Sequence, residues 1–236
     1  MKNLSLDLLI PCYNPNENWE LNICKCLATL QASLPETKIS VVLVNDGSST
    51  GVSQNSITYL KKNIATFEFI ETAKNNGKGY ALRLAAEKAN SDIQILTDVD
   101  FPYKNESILK VYYTLVEEKS DLVLGYRNES YYNKTPITRK IISKTLRVIL
   151  KHLIRLPISD TQCGLKGFNE LGKQLLLETK INTYLFDLEL VLLSRKNKLK
   201  ISAVHVFLKE GIVFTRMKAS ILIKEALNFF RLMKIK

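Results

Sequence analysis

Short apolar runs rich in β-branched residues recur along the first half of the chain, and each stops at a cluster of turn-forming polar residues. Leu4–Ile10 alternates and then becomes wholly apolar, as a buried strand does, with Pro11 expected to end it. Lys38–Val44 (KISVVLV) predicts a second strand, halted by Asn45-Asp-Gly-Ser-Ser49. Phe67–Glu71 predicts a third and Ile93–Thr97 a fourth. Between them Asn18–Ser33, Ser53–Ile64 and Tyr80–Ala89 read as helices, the second with Ser/Thr residues placed to cap it and the third rich in alanine. Lys74–Gly79 reads as a polar loop. Further on, Glu106–Glu118 predicts a helix and Asp121–Gly125 a short strand. Phe186–Leu193 reads as a helix with Asp187 and Glu189 where the dipole favours acids, and Lys200–Phe207 as a late strand.

Strands alternating with helices imply an α/β fold, a doubly wound and mainly parallel sheet flanked by helices with right-handed crossovers. In such a sheet the loops at 11–15, 45–49, 74–79 and 98–100 share one rim, the rim at which ligands bind. The fourth strand ends there in two carboxylates, Asp98 and Asp100, on either side of Val99. Residues i and i+2 of a strand share a face, so the pair converges on one point. Adjacent anions repel unless a cation lies between them, and a hard divalent ion held by carboxylates and substrate phosphates fits that need. An isolated Asp-x-Asp is as readily a turn or capping pair. Four polar loops on one rim favour the ligand site.

The back half has a different texture. Residues 128–135 are polar with two tyrosines, the character of a loop. Residues 137–157 set Arg139, Lys140, Lys144, Arg147, Lys151 and Arg155 among Ile, Leu and Val, a basic amphipathic helix that either packs on the protein or lies at an interface. Ser159–Phe168 (SDTQCGLKGF) is too polar for a core and too patterned for a linker, and residues 219–236 form an amphipathic tail ending in Arg231, Lys234 and Lys236. With no internal repeat, low-complexity segment or linker, residues 1–236 read as a single domain.

Composition sharpens this division. Residues 1–133 carry 13 Lys and Arg against 16 Asp and Glu, whereas residues 134–236 carry 21 against 7, so the net charge of +11 resides in the back half. A basic half beside an acidic one points to an anionic surface: membrane, nucleic acid or phosphorylated substrate. The apolar fraction of 46% and the charged fraction of 24% are those of a globular protein. No uninterrupted apolar run is long enough to span a bilayer, and the stretch before Pro11 is too short for a signal peptide. Cys12, Cys24, Cys26 and Cys163 show no paired spacing and read as reduced thiols, so the expected compartment is cytoplasmic. Gly77-Lys-Gly79 lacks the spacing of a P-loop or a dinucleotide fingerprint, and His152 and His205 stand apart from any nucleophile.

The ordered set Pro11-x-Tyr13-Asn14, Val44-Asn-Asp46-Gly-Ser48, Asn76-Gly-Lys78-Gly79 and Asp98-x-Asp100 resembles the family 2 glycosyltransferases with the GT-A fold. Gly125-Tyr-Arg127, Arg139 in its basic stretch, Asp160-Thr-Gln-Cys-Gly-Leu-Lys166 and Phe186-Asp-Leu-Glu189 narrow the resemblance to the dolichyl- and polyprenyl-phosphate glucosyl- and mannosyltransferases, over about residues 6–235. That resemblance implies transfer of a hexose from UDP- or GDP-sugar to a polyprenyl phosphate with inversion. Residues 1–133 would form the nucleotide-sugar and metal half, and residues 134–236 the acceptor and membrane-facing half. Pro11, Tyr13, Asn14, Asp46 and Lys78 would hold the donor, and Asp98 and Asp100 would place Mg²⁺ or Mn²⁺ on its diphosphate. Arg127, Arg139, Gln162 and Lys166 would receive the acceptor phosphate, with Asp187 a further catalytic position. A phosphate acceptor is already anionic and needs arginines to position it more than it needs a base.

Basic helices would then hold the protein peripherally on the inner face of a membrane, each Lys or Arg near the surface contributing about 1 kcal/mol. The chain departs from the family pattern in three places. Asn45 stands where an acid is common, and Phe101-Pro102-Tyr103 after the carboxylates is unusually apolar. The chain also lacks the membrane helices some relatives append, which leaves a separate membrane-protein partner open. An alternative is the same fold acting on a saccharide acceptor of an envelope polysaccharide, with Asp187 as base. A non-catalytic basic module is the rival from another class, and against nucleic acid as its partner stand Asp98 and Asp100, which would repel phosphate.

Overall fold

The structure, a computed structural model, describes residues 4–127 and 163–210 and, toward the C-terminus, residues 225, 227–229 and 232. The strands are β1 (Ser5–Cys12), β2 (Lys38–Asn45), β3 (Phe67–Glu71), β4 (Ile93–Leu96), β5 (Leu122–Tyr126), β6 (Lys166–Phe168) and β7 (Ile201–His205). The helices are α1 (Trp19–Ser33), α2 (Gln54–Asn63), α3 (Lys78–Lys88), α4 (Asn105–Glu117), α5 (Glu170–Glu178) and α6 (Phe186–Lys196). One sheet in the order β3-β2-β1-β4-β6-β5-β7 carries them, parallel except for β6, which runs antiparallel to both β4 and β5.

Both faces of the sheet are covered, which is why its strands read as nearly continuous apolar runs rather than alternating ones. On one face Leu8, Ile10, Val41, Leu43 and Ile95 pack with Ile23 and Leu30 of α1, Ile57 of α2 and Val111 of α4. On the other, Leu9, Val42, Val44 and Leu96 meet Ala81, Ala85 and Ala86 of α3, Leu176 of α5 and Val191 of α6. Ser53 caps α2 by accepting from the Ser56 N–H, as the sequence leads one to expect.

Three expectations are corrected. Pro11 does not end β1, which continues to Cys12 opposite Val44 and Asn45. The Leu9 carbonyl faces β4, accepting from Thr97 N–H at 3.2 Å, and β4 pairs with β1 no further than Leu9. Two residues on, the proline nitrogen faces that same unpaired side and no ladder bond is lost. Second, α3 begins at Lys78 rather than Tyr80, because Gly77 at φ 111° turns the chain into the helix in a conformation that side chains rarely adopt. Third, the described part of Ser159–Phe168, residues 163–168, is not too polar for a core. Cys163, Leu165, Lys166 and Phe168 are fully buried and β6 lies in the middle of the sheet. Helix α5, which follows it, is absent from the sequence reading.

The loop at 128–135, the basic helix at 137–157, His152 and most of the 219–236 tail lie outside the described residues. Of the tail, Leu232 is buried and Phe229 packs against the same core as α6. Glu225 accepts from the Tyr184 and Leu185 N–H groups at 3.0 and 3.1 Å, just ahead of α6. Among the described residues no helix is long and apolar enough to cross a membrane.

Candidate active site

The loops at the C-terminal rim are laced to one another by short side chains. Asn14 accepts from the Ser49 and Thr50 N–H groups at 2.8 and 3.1 Å, tying the loop after β1 to the loop after β2. Asp46 is buried and ties the second loop to the third, accepting from Asn76 N–H at 2.9 Å and Gly77 N–H at 2.7 Å, with the Thr72 hydroxyl at 3.2 Å. Beside it Asn45 donates to Glu71 at 2.8 Å and accepts from Ser48 N–H at 3.1 Å. This accounts for the missing acid: a second carboxylate at 45 would face Glu71 with nothing between them. A polar hollow of about 490 Å³, lined by Gly47, Ser48, Ser49, Glu71, Thr72 and Ala73, opens at the ends of β2 and β3. Tyr13 stands half-exposed on the adjoining loop, and Pro11 lies in the last turn of β1 below it.

Deeper along the rim lie two lysine–aspartate pairs. Lys78, the first residue of α3, reaches Asp98 Oδ1 at 2.5 Å, and both side chains remain partly open to solvent, at 19% and 33%. Lys166 of β6 reaches Asp187 Oδ1 on the first turn of α6 at 2.8 Å, and here exposure falls to 1% and 8%. Lys166 also donates to the Cys163 carbonyl.

The four charges feel one another. Burial pushes the Asp98 carboxyl up, but Lys78 in contact, then Lys166 and Arg127, outweigh it and hold the group below the usual carboxylate range. Asp100 goes the other way, raised by burial and by the charge of Asp98. Asp187 is also raised by burial, which Lys166 and Lys78 offset only in part. Burial opposes the Lys78 charge, yet Asp98 and Asp187 leave its ammonium raised.

The apolar tripeptide after the carboxylates has a clear task. Phe101 is fully buried at φ 44°, a left-handed turn closed by its N–H on the Asp98 carbonyl at 2.9 Å. Tyr103 forms a β-bridge with Leu208, and its buried hydroxyl accepts from Gly164 N–H at 2.9 Å. Gly164 in turn lies against Asp98 so closely that a Cβ there would strike Oδ2. The carboxylate loop is thus seated from below by Phe101 and from the side by the strand-entry segment 163–164.

The roof over α3 is equally specific: Arg83 donates to Thr179 Oγ1 and the Ile181 carbonyl at 3.1 and 3.0 Å, and Gly79 N–H to the Asn182 carbonyl at 2.7 Å. At the outer edge His205 packs its ring tilted against Tyr126 and edge-on to Phe207, which gives it a packing role.

Of the residues singled out in the sequence, Lys78 and Asp98 meet directly, as do Lys166 and Asp187, with Asp100 and Arg127 within electrostatic reach. Lys166 lies beneath the rim rather than on it, and Asp46 and Asn14 hold loops together. Arg139 and Gln162 lie outside the described residues. Sequence reasoning missed Glu71, Tyr103, Gly164 and Glu225. Two of them had left a signal, Tyr103 as an apolar departure next to the carboxylates and Gly164 inside the Asp160–Lys166 motif.

The donor chemistry suits a hard divalent ion. Asp98 and Asp100 offer oxygen, and among the described residues no cluster of three or more His, Cys, Asp or Glu forms a complete metal cage. Two carboxylates completed by substrate phosphates are a usual setting for Mg²⁺ or Mn²⁺. A two-faced α/β sheet with this rim is a GT-A glycosyltransferase architecture. It superposes on glucosyl-3-phosphoglycerate synthase from Mycobacterium tuberculosis, solved in complex with Mn²⁺, UDP-glucose and phosphoglyceric acid, with a TM-score of 0.67 over 98% of this chain and 78% of that one at 13% identity.

The profile of glycosyl transferase family 2 matches residues 7–170, and the chain belongs to that family. Among its relatives, the dolichyl-phosphate beta-glucosyltransferase of Drosophila melanogaster is 27% identical over 86% of this chain, and the Trichomonas vaginalis enzyme ALG5D of the same description is 28% identical over 81%. The chain spans 67% and 61% of the lengths of those two relatives. A UDP-N-acetylglucosamine–dolichyl-phosphate N-acetylglucosaminyltransferase from Methanococcus voltae is 27% identical over 58% of this chain and 57% of its own length.

Proposed function

We propose that this protein transfers a hexose from a nucleotide diphosphate sugar to the phosphate of a polyprenyl phosphate, with inversion at the anomeric carbon and dependence on a divalent metal. The observation that carries the reading is the rim itself. Asp98 and Asp100 stand beside Lys78 in a family 2 chain whose relatives include dolichyl-phosphate glucosyltransferases. Pro11, Tyr13, Asn14 and Asp46 would form the nucleotide end, next to the hollow at Glu71 and Thr72. Asp98 and Asp100 would hold Mg²⁺ or Mn²⁺, which when bound stabilises charge developing on the leaving diphosphate. Lys78 would bear on that diphosphate, and Arg127, with Arg139 and Gln162, would orient the acceptor phosphate. Lys166, buried on Asp187, would act on the acceptor through its field rather than by contact.

Kinship with dolichyl-phosphate glucosyltransferases supports a phosphate acceptor over a saccharide one. The 1–133 part would serve donor and metal, and the basic 134–236 part the acceptor and an anionic membrane surface on the cytoplasmic side, alone or with a membrane-protein partner. The test offers radiolabelled UDP- and GDP-hexoses with polyprenyl phosphate and Mg²⁺ or Mn²⁺ and measures label in the organic phase. Chelator-sensitive label in the lipid is expected. Donor turnover without lipid label would move the reading to a saccharide acceptor.

A further inference from the structure

The Lys78–Asp98 contact places an ammonium on the carboxylate best suited to hold a metal. Asp98 Oδ2 lies toward Gly164, and Lys78 is already on Oδ1. Among the described residues Asp98 and Asp100 are available to a cation here, and no third His, Cys, Asp or Glu joins them in a group that could hold one. A divalent ion arriving alone therefore meets an incomplete and half-occupied site. Because both partners of the pair keep some solvent exposure, the ammonium can leave without unfolding anything, on a flexible four-carbon stem. On leaving, the nearby anion left to it is Asp187, which Lys166 already holds.

We propose that Lys78 is a displaceable internal counter-cation. It competes with the divalent ion for Asp98, and the donor diphosphate relieves that competition by giving Lys78 a new partner while supplying the metal's remaining oxygens. Metal and nucleotide are thereby captured together, and free metal is held weakly. The coupling half of the proposal rests on the nucleotide-sugar reading. The competition half rests on the Lys78–Asp98 contact alone.

The experiment is a Mn²⁺ titration followed by the electron paramagnetic resonance signal of free Mn²⁺, with and without UDP, on the wild type, Lys78→Met and Lys209→Met. Lys209 removes the same charge from the same neighbourhood, lying 5.9 Å over the Phe101 ring and bearing on Asp100, but makes no contact with Asp98. Without nucleotide, Lys78→Met is expected to bind Mn²⁺ about tenfold tighter than the wild type, and Lys209→Met within about twofold of it. UDP should tighten Mn²⁺ binding in both proteins through its own oxygens, and about tenfold more in the wild type than in Lys78→Met. Lys78→Gln, which keeps a polar side chain, should repeat the result if methionine perturbs the fold. Equal Mn²⁺ affinity of wild type and Lys78→Met, or equal gains in Lys78→Met and Lys209→Met, would overturn the competition. UDP binding to both proteins without the difference in coupling would overturn the linkage. Failure of UDP, and of GDP offered in its place, to bind the wild type removes the nucleotide-sugar reading instead, and the metal-only titrations still decide the competition.

Discussion

Two ion pairs of the same chemistry stand side by side at this rim and differ chiefly in burial. Lys78–Asp98 lies at the mouth, partly solvated, between a loop-borne carboxylate and the first residue of a helix. Lys166–Asp187 lies below it, sealed between the central strand β6 and the start of α6. Removing one partner of a sealed pair strands a charge without water, whereas an exposed partner is simply rehydrated. The sealed pair is therefore a structural staple that fixes α6 on the sheet, and the open pair is suited to exchange its cation for another.

Substitutions can break this comparison. The largest effect is expected from Asp98→Asn or Asp100→Asn. Transfer should fall about a thousandfold with little change in unfolding midpoint, measured as initial rates of sugar transfer beside a urea titration. Wild-type rates in either variant would take the metal away from the open pair. Lys166→Met should destabilise by about 3 kcal/mol in that urea titration, and Lys166→Met combined with Asp187→Leu should recover most of the loss. If the double variant is no more stable than the single one, the staple is not electrostatic.

Gly164→Ala pushes a methyl against Asp98 Oδ2, and a rate loss of about tenfold with destabilisation of about 1–2 kcal/mol is expected. A variant with unchanged kinetics would show that Asp98 is not seated by this glycine. The smallest effect belongs to Lys78→Met on stability, less than about 1 kcal/mol, since its pair is partly solvated. A loss as large as that of Lys166→Met would erase the distinction between the two pairs.

The parallel half of the fold was legible because local chemistry declares it. β-branched runs such as KISVVLV end at Asn-Asp-Gly, and Ser53 caps α2 where its hydroxyl stands ready. The convergence of the rim followed from topology once the alternation was read, and with it Asp46, Lys78 and Asp98. The sealed pair was not legible in the same way. A lysine inside a three-residue strand is tolerable only because Asp187, 21 positions later, arrives to neutralise it, and no window around KGF contains that partner. Pro11 misled for a related reason: whether a proline ends a strand depends on which neighbour its nitrogen faces. Phe101 and Tyr103 looked out of place beside carboxylates until the fold showed them holding the loop from beneath.

The antiparallel β6 also bears on how the chain is made. β4 is finished at Leu96, yet its free side is paired only when Lys166–Phe168 arrives, and β5 waits for that same strand and then for β7. During synthesis the first four strands can assemble while β4, Ile93-Gln-Ile-Leu96, presents an apolar edge with unsatisfied backbone groups. A nascent chain stalled between β4 and β6 consequently holds that edge open to its neighbours in the cell, until the three residues of β6 cover it and β7 completes the sheet.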